Sequence, residues 1–410
     1  MAEHTQMAKE INPWLDFPNY NQFSKEQKEV YGTSLDSNIL INGAAGSGKT
    51  ILAILRAKQL ASKGKKILFI TFTRILYDFT KLSESDNDIK LRNVNITYTS
   101  QMAKNVLGRH MKNLNGLTQD EIGRLVKNTG KYDHVIVDEG QDFKLKIYEN
   151  IFHELGKVHT VCSDIKQGIY DSDFNSTDVK EIYSPMVENI LDFTYRNPKN
   201  VLNTSMGFFI KRFTDSPSEL KGTKVKLYNK TDGEVRLIHT NNEIQSIAEI
   251  IQNRGKNTVG VLLPNNEAVK LFYDGLTGRN LGKIEYKYNS KNYWDNNVSF
   301  DNTNPKVLTY HSSKGIQFDT VILPLLSKDY ASPIKFTNEA DEARAFYVAM
   351  TRTKKKLFFT RPGNCICPYL EDIPTDYLKT VQRSEDSIPT VESIFEIDDD
   401  DDDDDDELPF

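Results

Sequence analysis

The sequence predicts an α/β protein of two domains, each a parallel sheet covered by helices, followed by a disordered acidic tail. Three observations carry this. Nearly continuous apolar strands alternate with amphipathic helices, the pattern of sheets buried on both faces. A glycine-rich loop joins the first such strand to the first such helix. A second series of the same kind follows, and 410 residues suffice for more than one core.

The elements follow in order. Asn38 to Asn42 (NILIN) is a short apolar strand that runs into the glycine-rich turn. Thr50 to Ser62 has helical spacing, and Gly64 stops it. Lys66 to Thr71 (KILFIT), His134 to Val137 (HVIV) and Val158 to Cys162 read as further buried strands. The second series has strands at Glu234–Thr240, Thr258–Leu263, Val307–His311, Phe318–Leu325 and Lys356–Thr360, with helices at Asn242–Asn253 and Asn338–Thr351. The polar stretch Lys221 to Asp232 reads as a loop. Periodicity fades from about Thr375. The expected division is 1–190, 191–375 and a disordered tail over 376–410.

Charge separates the tail from the body. The chain carries 52 Lys and Arg against 58 Asp and Glu, but ten acids are contiguous from Asp398 to Glu407. Setting those ten aside leaves 52 cations against 48 acids, a mildly basic +4. Neither a strongly basic nucleic-acid coat nor an acidic body is present. No run approaches the roughly 18 apolar residues of a spanning helix, and the N-terminus has no apolar signal core, so no membrane is expected. Three cysteines, Cys162, Cys365 and Cys367, make no disulfide framework and suit a reducing, cytoplasmic setting. Cys365-Ile-Cys367 has no second Cys or His pair nearby, so no zinc site is expected.

Gly43-Ala44-Ala45-Gly46-Ser47-Gly48-Lys49-Thr50 fits G-x-x-x-x-G-K-[ST] between a strand and a helix. The glycines allow the tight turn whose N–H groups face phosphate oxygens at a helix N-terminus. Lys49 would hold the β- and γ-phosphates of ATP, and Thr50 would bind Mg²⁺. Asp138-Glu139 follows the apolar run HVIV. There Asp138 would help hold Mg²⁺, and Glu139 would orient and deprotonate an attacking water.

With these in place the order of boxes becomes specific. Asp138-Glu139-Gly140-Gln141-Asp142 resembles the DExQD box of the UvrD/Rep/PcrA group of superfamily 1 helicases. Gln27 resembles that family's adenine-reading Q motif, Thr71-Phe72-Thr73 its motif Ia, and Thr97-Tyr98-Thr99-Ser100 the segment after it. Ser163 to Tyr170 is similar to motif III, Tyr195-Arg196-Asn197 to motif IV, Thr309 to Asp319 to motif V, and Tyr347 to Arg352 to motif VI. The resemblance runs from Gln27 to about Arg361 and implies two RecA-like domains with ATP in the cleft between them. It implies that Tyr195 stacks on adenine, that Arg196 reaches the γ-phosphate, and that Gln167 senses it. Arg352 becomes an arginine finger from the second domain, and Gly315 and Gln317 line the nucleotide. Phe72, Thr73, Thr99 and His311 are implied contacts to single-stranded DNA, where an aromatic face stacks any base.

The departures concern length and a few residues. Ser163 stands where motif III usually has Gly, Ser172 where a Trp is usual, Gln317 where motif V has Glu, and Thr99 where His is frequent. Only 32 residues, Gln101 to Tyr132, stand where the family inserts subdomain 1B, and about 110 separate Arg196 from Val307. A reduced, helical 1B and no 2B are therefore expected, which describes a minimal motor. Translocation on one strand is expected, 3′-to-5′ by analogy with the family, by a monomer.

The chain ends Glu407-Leu408-Pro409-Phe410, which resembles the C-terminal tip of bacterial single-stranded-DNA-binding protein. An apolar plug with a free carboxylate suits a pocket rimmed by cations, and the acids add salt-sensitive steering. Three readings stay open: docking on proteins that bind that tip, folding back on the chain's own DNA groove, or a solubilising run. An adaptor protein whose ATPase only gates the tip is the alternative to the motor.

Overall fold

A computed structural model of the chain describes residues 20–71, 77, 93–108, 114–164, 173–213, 226–227, 231–289, 294–296, 298–300, 302–327 and 339–382. Two parallel sheets organise it.

The first sheet holds β1 (Asn38–Gly43), β2 (Ile67–Thr71), β3 (Val94–Tyr98), β4 (Tyr132–Val137), β5 (Gly156–Ser163) and β6 (Met186–Leu191) in the order β3-β2-β4-β5-β1-β6. Every pairing in it is parallel. Side chains alternate between two cores, as strand geometry demands. Ile39, Ile41, Ile67 and Phe69 face α1 (Lys25–Gly32) and α2 (Lys49–Ser62). Leu40, Leu68, Ile70 and Val161 face α3 (Thr99–Leu107), α4 (Gln119–Thr129) and the helical run over 145–155. Residues 101–132, where the insertion was expected, thus contribute two helices that pack together on this face. Thr118 and Glu121 form a capping box that starts α4.

The second sheet runs β12-β11-β13-β10-β14-β15-β9-β16. Its strands are β9 (Glu234–His239), β10 (Val259–Leu263), β11 (Glu285–Asn289), β12 (Trp294–Asn296), β13 (Lys306–Thr309), β14 (Phe318–Pro324), β15 (Thr353–Arg361) and β16 (Lys379–Gln382). All pair in parallel except β12, which folds back on β11. One face packs on α6 (Lys199–Arg212) and α9 (Glu339–Met350), the other on α7 (Glu243–Gln252) and α8 (Asn266–Leu276). Between β6 and α6 lies β7 (Phe193–Thr194), paired with β8 (Lys226–Leu227); a further helix, α5 (Ser176–Ile182), precedes β6.

Two expectations need correcting. The second series does not close at Lys356–Thr360: β16 adds an edge strand on β9, so the segment expected to be tail from 376 is ordered to Gln382. Val381 is its one apolar residue, so backbone pairing rather than hydrophobic pattern holds it. The stretch read as a loop over 221–232 contains β8. Among the described residues no helix is long and apolar enough to cross a membrane.

Candidate functional site

The glycine-rich loop lies between β1 and α2, at the C-terminal edge of the first sheet. Gly46 and Gly48 take φ of +79° and +92°, a region that L side chains rarely occupy. No side chain caps α2, so its first N–H groups stay open to an anion. The Ser47 hydroxyl is buried without a hydrogen-bond partner, and Gly43 has no room for a Cβ, which would stand 2.6 Å from Ser47 Oγ. An uncapped helix start, an orphaned hydroxyl and a turn open to glycine alone fit a triphosphate. Lys49 Nζ donates to the Gly43 and Ala44 carbonyls at 2.8 and 2.9 Å and lies 3.7 Å from Asp164 Oδ2.

Thr50 Oγ1 donates to Asp138 Oδ2 at 2.9 Å, across 88 residues of sequence. Burial, and then the charge of Glu139, push the Asp138 carboxyl up to about 7; Thr50 and Lys49 oppose this. Among the described residues no group of three or more His, Cys, Asp or Glu is placed to hold a metal ion. The hydroxyl–carboxylate pair supplies two oxygen donors of the kind that a hard divalent cation takes.

Glu139 has φ of +56° and ψ of +45°, left-handed for a residue with a Cβ. Such strain, of order 1–3 kcal/mol, collects where a side chain must be aimed. Gln141 aims it: Nε2 donates to Glu139 Oε2 at 2.6 Å, while Oε1 accepts from the Asp164 N–H at 2.9 Å. Burial works to raise the Glu139 carboxyl, but Lys314, Lys49, Arg352 and the Gln141 hydrogen bond outweigh it and hold it below the usual range.

The second sheet's residues complete the site. Lys314, fully buried, lies 2.6 Å from Asp142 Oδ2 and 3.6 Å from Glu139 Oε2. Gly315 follows it at φ +84°. In the amide orientation that hydrogen bonding requires, Gln317 accepts from Arg196 Nη2 at 3.1 Å and Nε at 3.3 Å. Arg196 Nη1 donates to the Thr351 carbonyl at 3.1 Å. Arg352 is buried at the end of α9, where Nε donates to the Val348 carbonyl at 2.9 Å. Burial lowers its proton affinity, and Glu139 and Asp164, within electrostatic reach, raise it. Four cations, Lys49, Arg196, Lys314 and Arg352, therefore meet four carboxylates, Asp138, Glu139, Asp142 and Asp164, between the two sheets.

Gln27 serves the loop directly. Its Oε1 accepts from Ser24 N–H in a capping box of α1, and its Nε2 donates to the Ser47 carbonyl at 3.0 Å. Tyr195, half-buried, lies beside the loop and its N–H donates to the Gly46 carbonyl at 3.0 Å.

The track-side residues fare differently. His311 is half-buried on the turn after β13; burial and Lys314 lower its proton affinity, and Asp341 opposes them. Thr99, expected to touch a strand, is fully buried at the start of α3 and offers no side-chain surface. It begins a helix whose first turn packs into the core, so the position reads as structural. Phe72, Thr73, Gln167, Leu408, Pro409 and Phe410 lie outside the described residues. Gln141, Asp142, Asp164, Asn197 and Lys314 join the site without having been assigned roles from sequence. Their signal was their place inside the quoted boxes.

Known proteins resemble parts of this chain. Residues 295–362 match the UvrD-like helicase C-terminal domain, and residues 19–159 match the type III restriction enzyme, res subunit. A probable DNA helicase II homolog of Mycoplasma pneumoniae is 43% identical over 60 residues, 13% of this chain and 8% of that protein. The matched stretch is thus a small part of that relative's length. Arterivirus nonstructural protein 10, a helicase solved with DNA, is 13% identical at a TM-score of 0.37, covering 83% of this chain and 63% of its own. The C-terminal domain of a possible DNA helicase from Lactobacillus plantarum is 13% identical at 0.32, covering 45% of this chain and 98% of its own. The C-terminal family match and the curated relative are both helicases, the class that the ordered boxes resemble.

Proposed function

We propose that the chain is an ATP-driven motor on single-stranded DNA, a minimal 3′-to-5′ translocase or helicase that acts in replication, repair or recombination. The observation that carries this is the junction itself. Phosphate-binding and water-activating groups stand on the first sheet, and Arg196, Lys314 and Arg352 come from beyond it.

Residues 1–190 serve as domain 1A, with 101–132 as a reduced 1B, and 191 to about 382 as domain 2A. The adenine stacks on Tyr195, with Gln27 bracing the loop beneath it. Thr50 and Asp138 would hold Mg²⁺, which when bound would neutralise charge on the phosphate oxygens. Lys49 leaves its loop carbonyls for the β- and γ-phosphates. Glu139, held ionised by its cations, orients the attacking water and takes its proton as the new P–O bond forms and the bond to the departing diphosphate breaks. Arg196 and Arg352 stabilise the charge on the transferring group, which they do best when the two domains are closed, so hydrolysis and closure are linked. Gln167 reports the γ-phosphate to the strand, which runs past Phe72, Thr73 and His311. The Leu408-Pro409-Phe410 tip docks on proteins that bind the single-stranded-DNA-binding protein's tip, bringing a monomeric, cytoplasmic motor to its DNA.

Displacement of streptavidin from end-biotinylated oligonucleotides tests the reading. ATP-dependent release from the 5′ end only, lost in Lys49→Ala and Arg352→Ala, is the expected outcome. Release from the 3′ end reverses the direction, and no release from either end contradicts the motor. Deleting 408–410 should leave this assay unchanged.

A further inference from the structure

We propose that Asn197 is a positioning residue for Arg352: its carboxamide clamps the backbone on both sides of that arginine and so fixes where the guanidinium stands in the cleft. The inference rests on the ATPase reading above and deepens it.

Asn197 Nδ2 donates to the Thr351 carbonyl at 3.1 Å and to the Thr353 carbonyl at 2.8 Å. A primary amide has two N–H donors, and here each goes to one of the carbonyls that flank Arg352. Asn197 is fully buried, and its Oδ1 has no hydrogen-bond partner. Turning the amide over would set an oxygen against two carbonyls, so the site requires donors. Asparagine is present for its two N–H groups alone.

The other end of the same short segment is tied to the phosphate loop. Thr194 Oγ1 donates to the Ala45 carbonyl at 2.8 Å, and Tyr195 N–H donates to the Gly46 carbonyl at 3.0 Å. Contact there is tight: a Cβ on Gly46 would stand 2.6 Å from Arg196 Cβ and 2.7 Å from Thr194 Oγ1. Four consecutive residues thus bind the phosphate loop with the first two and the Arg352 turn with the last two. A displacement of the loop on nucleotide binding would reach the arginine's backbone through these residues' five hydrogen bonds. A purely structural role, closing the end of α9, predicts a loss of stability and nothing more.

The test is a double-mutant cycle on DNA-stimulated ATP hydrolysis, with affinity for a fluorescent ATP analogue measured alongside. Asn197→Ala should lower kcat roughly ten- to thirtyfold, the worth of two hydrogen bonds, with analogue affinity changed by less than about threefold. Because Asn197 acts through Arg352, Asn197→Ala with Arg352→Ala should be no slower than Arg352→Ala alone. Asn197→Ser, which keeps one donor, should fall between wild type and Asn197→Ala; it also serves if the alanine variant fails to fold. Losses that multiply in the double variant, or a wild-type kcat in Asn197→Ala, overturn the inference. A wild-type chain that hydrolyses no ATP overturns the functional reading first, an outcome separable from the other two.

Discussion

Replacing Lys314 by methionine removes one cation from a buried junction and leaves the side chain's length. Lys314 is buried, as are its partners Asp142 and Glu139, at 2.6 and 3.6 Å. Removing one partner of a buried pair costs about 3–5 kcal/mol, because the other charge stays without compensation. At about 2–4 °C per kcal/mol, the melting temperature should fall by roughly 6–20 °C. Lys314 is also the foremost group holding the Glu139 carboxyl down against burial. Without it burial gains, the carboxyl rises, and the acid limb of the pH–kcat profile moves to higher pH. Thermal unfolding and a pH–rate profile check both effects. Lys314→Met with Asp142→Asn should recover part of the lost stability, since the nearer of the two stranded charges is then gone. A variant within about 1 kcal/mol of wild type, with an unmoved acid limb, would refute the reasoning.

Two further outcomes follow from the same geometry. Gly46→Ala forces a Cβ into the 2.6 Å approach to Arg196 at φ +79°, so affinity for a fluorescent ATP analogue should drop at least about tenfold, a cost of ~1.4 kcal/mol; unchanged affinity contradicts the tight seat. Glu243, buried at the start of α7, is pushed up to about 7 by burial, against hydrogen bonds from Thr360 and the Leu326 N–H. The folded chain then binds that proton more tightly than the unfolded chain, whose value is 4.5, so stability falls as pH rises from about 4.5 through 7, by up to ~3 kcal/mol. Glu243→Gln keeps the acceptor oxygen and should melt with a shallower pH dependence between pH 5 and 8; identical slopes in both proteins count against it.

The parts of this molecule that were legible in its sequence are the contiguous ones. NILIN, KILFIT and HVIV became β1, β2 and part of β4, because strands buried on both faces leave unbroken apolar runs. Edge strands escaped. β6 leaves Val187 and Ile190 exposed, and β16 has one apolar residue, so neither carries a run. Within the site, loop spacing located Lys49 and Thr50, and the strand end located Asp138. What no local pattern carries is partnership across the cleft: Lys314 meets Asp142 over 172 positions, and Asn197 meets Thr353 over 156. Burial is equally hidden, as Thr99 shows, since a threonine in a matched box looks the same whether it faces a strand or a core.

The proposed motor hydrolyses ATP in this cleft in response to a single strand. ATP hydrolysis measured with and without single-stranded DNA, with Lys49→Ala as the blank, tests it most directly. The account predicts a low basal rate, strong stimulation by DNA, and a silent blank. A wild-type rate that ignores DNA would contradict it and shift the weight to the acidic tip and its protein partner.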